Sequence, residues 1–325
     1  MLYPLKFEPI LKSKIWGGQK LSSQYNKVAI DLPNIGESWE ISGVSSDVSV
    51  VSDGFLKENA LDELIEIYMG DLVGDKVYER FGNEFPLLIK FIDANDDLSI
   101  QVHPNDELAK QRHNSYGKTE MWYVMQADKG SKLISGFNKV IDQEIYLMHL
   151  NNGTLSEILS YHEVTPGDVF FMPAGRVHAI GAGMLIAEIQ QTSDVTYRIF
   201  DFNRLDDKGE PRELHTDLAL DAINFSDADS ASVEYQSIEN ELVETVACPY
   251  FTTNFIELTK PIEKDYIDLD SFVIYMCLEG DVIIDYGQKD KVAICKGETV
   301  LIPAELKNIF LSPIGDAKFL EVYVK

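Results

Sequence analysis

Short apolar runs separated by Gly, Pro, Asn and Asp dominate the chain, and this pattern predicts many short β-strands. The spacing changes between residues 59 and 81, where apolar side chains recur three and four positions apart and predict two helices that separate near Gly70. A further short helix is predicted from about Asn105 to Arg112, because two acidic residues suit its first turn. The rest of the segment 85–202 has the pattern of strands and turns.

Residues 226–241 are small, polar and acidic, which is typical of an exposed connection. Strand-like runs resume after this segment and predict a second β-sandwich or barrel. We therefore predict an N-terminal domain at 1–225 with a helical insertion at about 55–82. An acidic linker at 226–241 and a C-terminal domain at 242–325 complete the predicted organisation.

The two predicted domains share a repeated motif. Residues 296–308 (KGETVLIPAELKN) align with residues 166–178 (PGDVFFMPAGRVH), and the Gly, acidic, Pro and Ala positions match. His178 in the first copy corresponds to Asn308 in the second, and none of the six histidines lies beyond His215. We expect a repeated architecture in which only the first copy has a metal site.

Composition narrows the range of partners and locations. The net charge of −26 argues against a nucleic acid or an anionic membrane surface as a partner. The chain has no apolar run long enough to cross a membrane and no N-terminal secretion signal, and its three cysteines form no CxxC pair. These features favour a cytoplasmic protein with reduced thiols. An anionic substrate would then need a local cationic pocket, for which Lys118 and Arg198 are the candidates.

Four residues have the spacing of a metal site. Gln101 and His103 are two positions apart in a strand-like run, so their side chains point to one face. Glu120 follows at the next strand-like run, and His178 ends the Pro-Gly-Asp to Pro-Ala-Gly motif. Two imidazoles, one carboxylate and one amide oxygen make a plausible ligand set for a divalent metal such as zinc, and we predict one Zn²⁺ per chain.

Several longer motifs extend this pattern over residues 4–215. They are PLKFEPILKSKIWGG (4–18), IGESWEIS (35–42), LSIQVHPND (98–106), GKTEMWYV (117–124), PGDVFFMPAGRVHAIGAG (166–183) and EIQQTSDVTYRIFDFNR (188–204). Together and in this order they resemble the type I mannose-6-phosphate isomerases of the cupin superfamily, in the short bacterial form.

This resemblance implies a mainly β fold with two cupin (jelly-roll β-barrel) domains, the first catalytic and the second degenerate. It implies reversible isomerisation of mannose 6-phosphate and fructose 6-phosphate through a metal-stabilised cis-enediolate. An aldose–ketose isomerase moves a proton between C1 and C2, so a base must take that proton and return it on the same face. The metal would stabilise the intermediate as a Lewis acid.

The resemblance also suggests catalytic residues. Arg198 corresponds to the arginine that the family uses in catalysis, and a guanidinium group suits a phosphate or an oxyanion. Lys118 lies two positions before Glu120 and would face the metal. Glu188 is a carboxylate in an apolar stretch. Lys118, Glu188 and a zinc-bound hydroxide all remain candidates for the base.

Four further residues are candidates for substrate binding. Ser99 lies on the same strand face as Gln101 and could donate a hydrogen bond to phosphate. Trp16, Glu37 and Trp39 are suggested as pocket residues by the family resemblance, although the two tryptophans suit a core equally well.

Two alternatives keep the same metal ligands. A non-catalytic cupin that binds or senses a sugar would need neither Lys118 nor Arg198, and the presence of both favours the enzyme. A metal-dependent cupin oxygenase would need open metal positions for oxygen and a redox-active metal, which zinc is not.

Overall fold

The computed structural model describes residues 2–206, 209–228, 231–287 and 290–325, and it is mainly β, as the pattern of short apolar runs predicts. The strands of the described chain follow in order: β1 (Ile10–Gly18), β2 (Ile35–Ser42), β3 (Leu87–Ala94), β4 (Ile100–Val102), β5 (Glu120–Ala127), β6 (Lys132–Phe137), β7 (Leu159–Glu163), β8 (Val169–Met172), β9 (His178–Ala179), β10 (Met184–Gln191), β11 (Tyr197–Phe200), β12 (Ser232–Val233), β13 (Leu242–Ala247), β14 (Thr252–Leu258), β15 (Ile262–Asp265), β16 (Val273–Gly287), β17 (Asp290–Cys295), β18 (Thr299–Ile302) and β19 (Asn308–Tyr323). The helices are α1 (Lys20–Tyr25), α2 (Leu61–Tyr68), α3 (Gly70–Val73), α4 (Asp75–Phe81), α5 (Asp106–His113), α6 (Gln143–Asn152) and α7 (Thr216–Ala222), with one 3-10 turn at Leu155–Glu157.

The chain forms two compact units, and both are discontinuous in sequence. We call Leu11–Ser38 with Lys90–Val233 the central unit, and Met1–Ile10 with Trp39–Ile89 and Glu234–Lys325 the terminal unit. This division differs from contiguous domains at 1–225 and 242–325. In particular, the helical insertion predicted at about 55–82 belongs with the C-terminal strands rather than with the metal-site motifs.

The central unit contains two antiparallel sheets. The first includes the order β10, β5, β8 and β12, and the second has the order β11, β4, β9, β6 and β7. Every residue of β10 is buried, so this strand carries apolar side chains on both faces. Glu188 in β10 is therefore a charged group inside the core, and such a group requires a partner.

The terminal unit contains a sheet of the strands β13 to β19, in which β19 pairs with β14, β15 and β16. Its core consists of apolar side chains from these strands, which include Ile256, Tyr275, Val300 and Phe319. The N-terminal segment joins this unit through a backbone bridge between Leu5 and Leu301.

Helix is confirmed at 59–81 and after Asn105, but the first region contains three helices, α2, α3 and α4, instead of the two predicted. The predicted break near Gly70 is present at Met69, and a second break lies at Gly74. Helix α5 begins one residue after its capping residue Asn105, whose side chain accepts a hydrogen bond from the Leu108 N–H. The prediction of strands and turns throughout the rest of 85–202 is wrong at Gln143–Asn152, which is the helix α6. The Asp142 side chain caps its N-terminus and Gly153 adopts a left-handed conformation at its C-terminus.

Candidate active site

Three of the four predicted metal ligands form one buried cluster in the central unit. Glu120 begins β5, His178 begins β9, and His103 follows β4. Glu120 Oε2 lies 3.5 Å from His103 Nε2, and Glu120 Oε1 lies 3.3 Å from His178 Nε2. The candidate ligand atoms of the three residues all lie within 4.8 Å of one another.

The polar atoms at the centre of this cluster fit a cation. His103 Nε2 and both carboxylate oxygens of Glu120 are buried and have no hydrogen-bond partner among the described residues. Lys118 Nζ, 3.3 Å from Glu120 Oε2, forms an ion pair with this carboxylate but leaves Glu120 Oε1 and His103 Nε2 unpaired. Such buried atoms are costly, because they have lost their hydration without replacement. A divalent cation bound by two imidazole nitrogens and a carboxylate would satisfy these atoms, and this donor set suits zinc.

Both imidazoles are held by backbone carbonyls on the side away from Glu120. His103 Nδ1 lies 2.9 Å from the Val195 carbonyl oxygen, and His178 Nδ1 lies 2.9 Å from the Arg176 carbonyl oxygen. A carbonyl oxygen can only accept, so each Nδ1 carries the proton when the ring is neutral. Each Nε2 therefore presents its lone pair to the centre of the cluster, as a metal ligand must.

Gln101 lies beside the cluster in a half-buried position. Its Nε2 is 3.4 Å from His178 Nε2, and its Oε1 accepts a hydrogen bond from Ser99 Oγ at 3.3 Å. Rotation of the amide by 180° exchanges its oxygen and nitrogen, which would direct the oxygen to the cluster. Ser99 is buried and shares this strand face, as the spacing predicts.

Burial keeps the cluster's imidazoles neutral. Burial and, to a smaller extent, the nearby Lys118 ammonium lower the pKa of His178 to about 3. The pKa of His103 is also lowered well below 6.5, mainly by burial and then by Lys118. Burial raises the pKa of Glu120 to about 7, against the opposing effect of Lys118. Neutral imidazole is the form that binds metal, so the site is prepared for it.

Lys118 lies next to Glu120, as their spacing predicts. Its side chain is buried, and Lys118 Nζ is 3.3 Å from Glu120 Oε2. The ammonium group is thus in ion-pair contact with one of the candidate metal ligands.

Glu188 belongs to a second buried group, which includes three residues that the sequence analysis did not suggest for the site. Lys90 Nζ lies 3.0 Å from Glu188 Oε1 and 2.7 Å from Gln190 Oε1, and Trp122 Nε1 donates to Glu188 Oε2 at 2.9 Å. Burial alone would raise the pKa of Glu188, but Lys90 and Lys118 together outweigh it and hold this pKa below its ordinary value. Burial alone would lower the pKa of Lys90, whereas Glu188 holds it above its ordinary value.

The sequence did contain a signal for Lys90. Lys90 is the one charged residue in the apolar run Leu87-Leu-Ile-Lys-Phe-Ile92, and every residue of β3 is buried. A lysine in such a run requires a carboxylate partner, but the sequence does not reveal that this partner is Glu188.

Arg198 lies in β11, where its Cα pairs with that of Gln101 in antiparallel register. Directly opposed residues point to one face, so Arg198 leaves the sheet on the side of the metal cluster. Its Nη1 donates to the Glu213 carbonyl oxygen at 2.7 Å, and its buried Nε has no hydrogen-bond partner among the described residues. Burial and the nearby Arg212 lower the pKa of Arg198.

Two further arginines bring positive charge to this region. Arg204 and Arg212 both bind the buried carboxylate of Asp201, with Arg204 Nη2 at 2.6 Å and Arg212 Nη2 at 2.5 Å from Asp201 Oδ1. Arg198 is close enough to Asp201 and to both of these arginines for their charges to act on its pKa. Positive charge is thus concentrated here in a chain of net charge −26.

The three suggested pocket residues near the N-terminus have different environments. Trp16 is buried in the apolar core of the central unit, beside Trp122. Glu37 is buried in the same unit, forms an ion pair with Lys14 at 3.2 Å and acts electrostatically on Lys90. Trp39 packs in the terminal unit against Val44 and Leu88. A substrate contact for these residues remains a prediction.

Strand register explains why the second copy of the repeat has no comparable ligands. Met172 of the first copy aligns with Ile302 of the second. The residue opposite Met172 in the sheet is Glu120, whereas the residue opposite Ile302 is Val273. Val273 thus occupies the position of Glu120. In the same way, His178 opposes Gln101, while Asn308 opposes Asp265.

Comparisons with known proteins identify the family of the chain. Residues 4–134 match the model of the type I phosphomannose isomerase catalytic domain. The mannose-6-phosphate isomerase of Streptococcus mutans is 34% identical over 315 residues, which cover 95% of this chain and 95% of that protein. The mannose-6-phosphate isomerase ManA of Bacillus subtilis is 40% identical over 255 residues, or 77% of this chain and 78% of that one.

Solved structures agree on the fold. The mannose 6-phosphate isomerase of Bacillus subtilis superimposes with a TM-score of 0.87 at 28% identity, covering 99% of this chain and all of that one (100%). A phosphomannose isomerase variant from Salmonella typhimurium, at 17% identity, has the same fold with a TM-score of 0.79. The architecture is that of a cupin enzyme, and the described residues contain one candidate metal centre. The chain belongs to the type I phosphomannose isomerase family and is an aldose–ketose isomerase.

Of the expectations about location, the structure tests only the one about membrane-spanning helices. Among the described residues, no helix has both the length and the apolar composition needed to cross a bilayer. The three cysteines are free. A cytoplasmic location stays a prediction.

Proposed function

We propose that the protein interconverts mannose 6-phosphate and fructose 6-phosphate. The observation that carries the proposal is the buried cluster of His103, Glu120 and His178 with Lys118 Nζ 3.3 Å from Glu120 Oε2. The names of the relatives support the substrate, because those that match most of the chain's length are mannose-6-phosphate isomerases.

Gln101, His103, Glu120 and His178 would hold one Zn²⁺. The orphaned buried atoms of His103 and Glu120, and the Nδ1 contacts that direct both Nε2 atoms inwards, support this assignment. When bound, the metal would polarise the sugar oxygens between which the hydroxyl proton moves and thereby stabilise the cis-enediolate.

Arg198 would bind the anionic part of the substrate. Its guanidinium group lies on the Gln101 side of β11, and its buried Nε–H has no partner among the described residues, so a donor remains for an oxyanion. Ser99 would add a hydroxyl on the same face as Gln101. Arg204 and Arg212 would increase the local positive charge without leaving Asp201.

Lys118 is a better candidate than Glu188 for moving the proton between C1 and C2. Both oxygens of Glu188 already accept hydrogen bonds from Lys90 and Trp122, and its lowered pKa makes it a weak base. Lys118 Nζ lies beside the candidate metal ligands, and Glu120 is its one ion-pair partner in the described part of the chain. We therefore assign proton transfer to Lys118 and charge stabilisation to Arg198.

The test is an assay of purified protein with mannose 6-phosphate, coupled to detection of fructose 6-phosphate, with and without a chelator. Turnover that is lost with the chelator and restored by Zn²⁺ is the expected result. Glu120→Ala should lose metal and turnover together, whereas the matched change Asn308→Ala in the second repeat should alter neither. No formation of fructose 6-phosphate by metal-loaded protein would contradict the proposal.

A further inference from the structure

The turn that presents His178 is fixed by a buried ion pair between Arg176 and Asp227. Arg176 Nε donates to Asp227 Oδ2 at 2.8 Å, and Arg176 Nη2 donates to Asp227 Oδ1 at 2.5 Å. The side chains of Arg176 and Asp227 are only 7% and 9% exposed, so this forked pair is shielded from water.

The same guanidinium group also reaches the strand beside His178. Arg176 Nη1 donates to Ser135 Oγ at 3.2 Å, and Ser135 opposes His178 in the pairing of β6 with β9. One side chain thus connects the residue opposite His178 to the segment around Asp227.

Backbone contacts complete the connection. The N–H of Asn224 donates to the Gly175 carbonyl oxygen at 2.9 Å, and the Gly175 N–H donates to the His103 carbonyl oxygen at 2.9 Å. Gly175 has a φ of 92°, a conformation that favours glycine, so the turn is specified locally as well. The segment from Asn224 to Asp227 therefore packs directly on the turn between Pro173 and His178.

The carbonyl that receives the His178 imidazole belongs to Arg176 itself. His178 Nδ1 lies 2.9 Å from the Arg176 carbonyl oxygen, and His178 Nε2 lies 3.3 Å from Glu120 Oε1. Any shift of the Arg176 backbone would rotate the imidazole and displace Nε2 from the cluster. We propose that Arg176 and Asp227 are positioning residues that hold the Arg176 carbonyl, and through it His178, in the orientation that binds metal.

This inference rests on the proposed metal site and adds two residues that are not among the four candidate ligands. Asp227 also lies within residues 226–241, which the composition predicts to be an exposed connection. Its side chain instead forms a shielded ion pair within the central unit. Groups one step removed from a metal commonly change its affinity by about 10- to 100-fold, because they set the direction of the ligand.

The test measures Zn²⁺ affinity by competition with a chromophoric chelator, in the full-length protein. Asp227→Asn keeps the side-chain shape but removes the charge, and we expect it to weaken Zn²⁺ binding by about 10-fold. Arg176→Lys keeps a cation beside Asp227 and so avoids an isolated buried charge. It loses the forked guanidinium group that binds Asp227 and also reaches Ser135, so it should weaken Zn²⁺ binding as well.

The matched control is Asp201→Asn. Asp201 is a buried carboxylate of the same unit that also binds an arginine through two oxygens, but no hydrogen bond or ion pair between described residues joins it to a histidine of the cluster. We expect both Asp201→Asn and Asp227→Asn to lower the urea midpoint. The Zn²⁺ affinity of Asp201→Asn should stay within about twofold of the wild type, since Asp201 is not coupled to His178. In protein loaded with Co²⁺, the visible absorption spectrum should change in Asp227→Asn and Arg176→Lys but not in the control.

The outcomes separate this inference from the proposed function. Wild-type protein that binds no Zn²⁺ would refute the proposed metal site. Wild-type protein that binds Zn²⁺, together with Asp227→Asn and Arg176→Lys variants of unchanged affinity and Co²⁺ spectrum, would refute the positioning role alone. Equal loss of affinity in Asp201→Asn would also refute it, because the effect would then follow from general destabilisation. If Asp227→Asn yields no folded protein, the result for Arg176→Lys decides.

Discussion

At the scale of single residues, the site contains two carboxylates in contrasting environments. Glu120 forms an ion pair with Lys118 through Oε2, its Oε1 has no hydrogen-bond partner among the described residues, and burial raises its pKa. Glu188 accepts hydrogen bonds on both oxygens, from Lys90 and Trp122, and its pKa is lowered. Glu120 is therefore the carboxylate with an oxygen left for a metal ion, whereas both oxygens of Glu188 are held by donors of the protein.

Lys118→Met should separate proton transfer from metal binding. The change removes the amine that lies beside Glu120 but leaves every candidate ligand in place. We expect zinc content and the urea midpoint to be retained and kcat to fall by about 10²-fold or more, the scale of lost acid–base assistance. Turnover near the wild-type rate would return the proton transfer to Glu188 or to metal-bound water.

Arg198→Lys should test whether guanidinium geometry, and not charge alone, is needed. Lysine keeps the positive charge but cannot donate in a fork to an oxyanion while a second nitrogen holds the Glu213 carbonyl. We expect turnover to fall on the order of 10²-fold, with metal content unchanged. Wild-type kinetics in this variant would show that Arg198 is a structural strand residue.

At the scale of elements, the second repeat keeps one feature of the first. Glu188 opposes Trp122 in the pairing of β10 with β5, and Glu321 opposes Tyr275 in the pairing of β19 with β16. Each carboxylate accepts a hydrogen bond from the aromatic residue opposite, and each has a lysine partner, which for Glu321 is Lys264 at 2.8 Å. Both units therefore have a buried glutamate opposite an aromatic residue and paired with a lysine, although the described part of the terminal unit lacks residues that match the candidate metal ligands.

Glu321→Gln should destabilise the terminal unit without affecting metal binding. The carboxylate contacts Lys264, Tyr266, Tyr275 and Asn254, so its loss leaves a buried ammonium group without its counter-ion. We expect a loss of about 3 kcal/mol in the free energy of unfolding, measured by urea denaturation. The exposed pair of Lys325 and Glu244 supplies the control, and Glu244→Gln should change stability by less than about 0.5 kcal/mol. An equal effect of the two changes would contradict this account.

Elements with a clear period or repeat were predictable from the sequence. The helices around Gly70, the helix after Asn105 and the alignment of Asn308 with His178 follow from spacing alone. The helix α6 was not predicted, because its sequence QEIYLMHLNN shows little segregation of apolar and polar faces. The partnership of Lys90 with Glu188 depends on the pairing of distant strands, which no local pattern encodes.

At the scale of the whole molecule, the stability of the metal-free protein should fall in acid. The pKa of His178 is about 3 when folded, against 6.5 ordinarily, so between these pH values the unfolded chain binds a proton that the folded chain does not. Each such group contributes a slope of about 1.4 kcal/mol per pH unit within its window. Urea unfolding of metal-free His178→Gln should therefore depend less steeply on pH between about 6.5 and 3 than that of the wild type.

Glu120 acts in the opposite direction. Its pKa is raised to about 7 when folded, so its contribution to stability is present below pH 4.5 and is lost as the pH rises towards 7. It therefore offsets part of the histidine effect between pH 4.5 and 6.5. Metal-free Glu120→Gln should show a steeper acid loss than the wild type in this range, and a shallower one would contradict the assigned direction.

The interleaved order of the two units has a consequence for synthesis on the ribosome. The Val73 carbonyl of the terminal unit accepts a hydrogen bond from the Phe272 N–H, and Leu5 pairs with Leu301. At about 5–20 residues per second, these early segments emerge roughly 10–60 s before their partners. The strand β19, which lies between β14 and β16, is translated after both. The central unit is complete at Val233 and can fold at that stage. Until the C-terminal strands are made, the apolar faces of α2 to α4 must avoid non-native contacts.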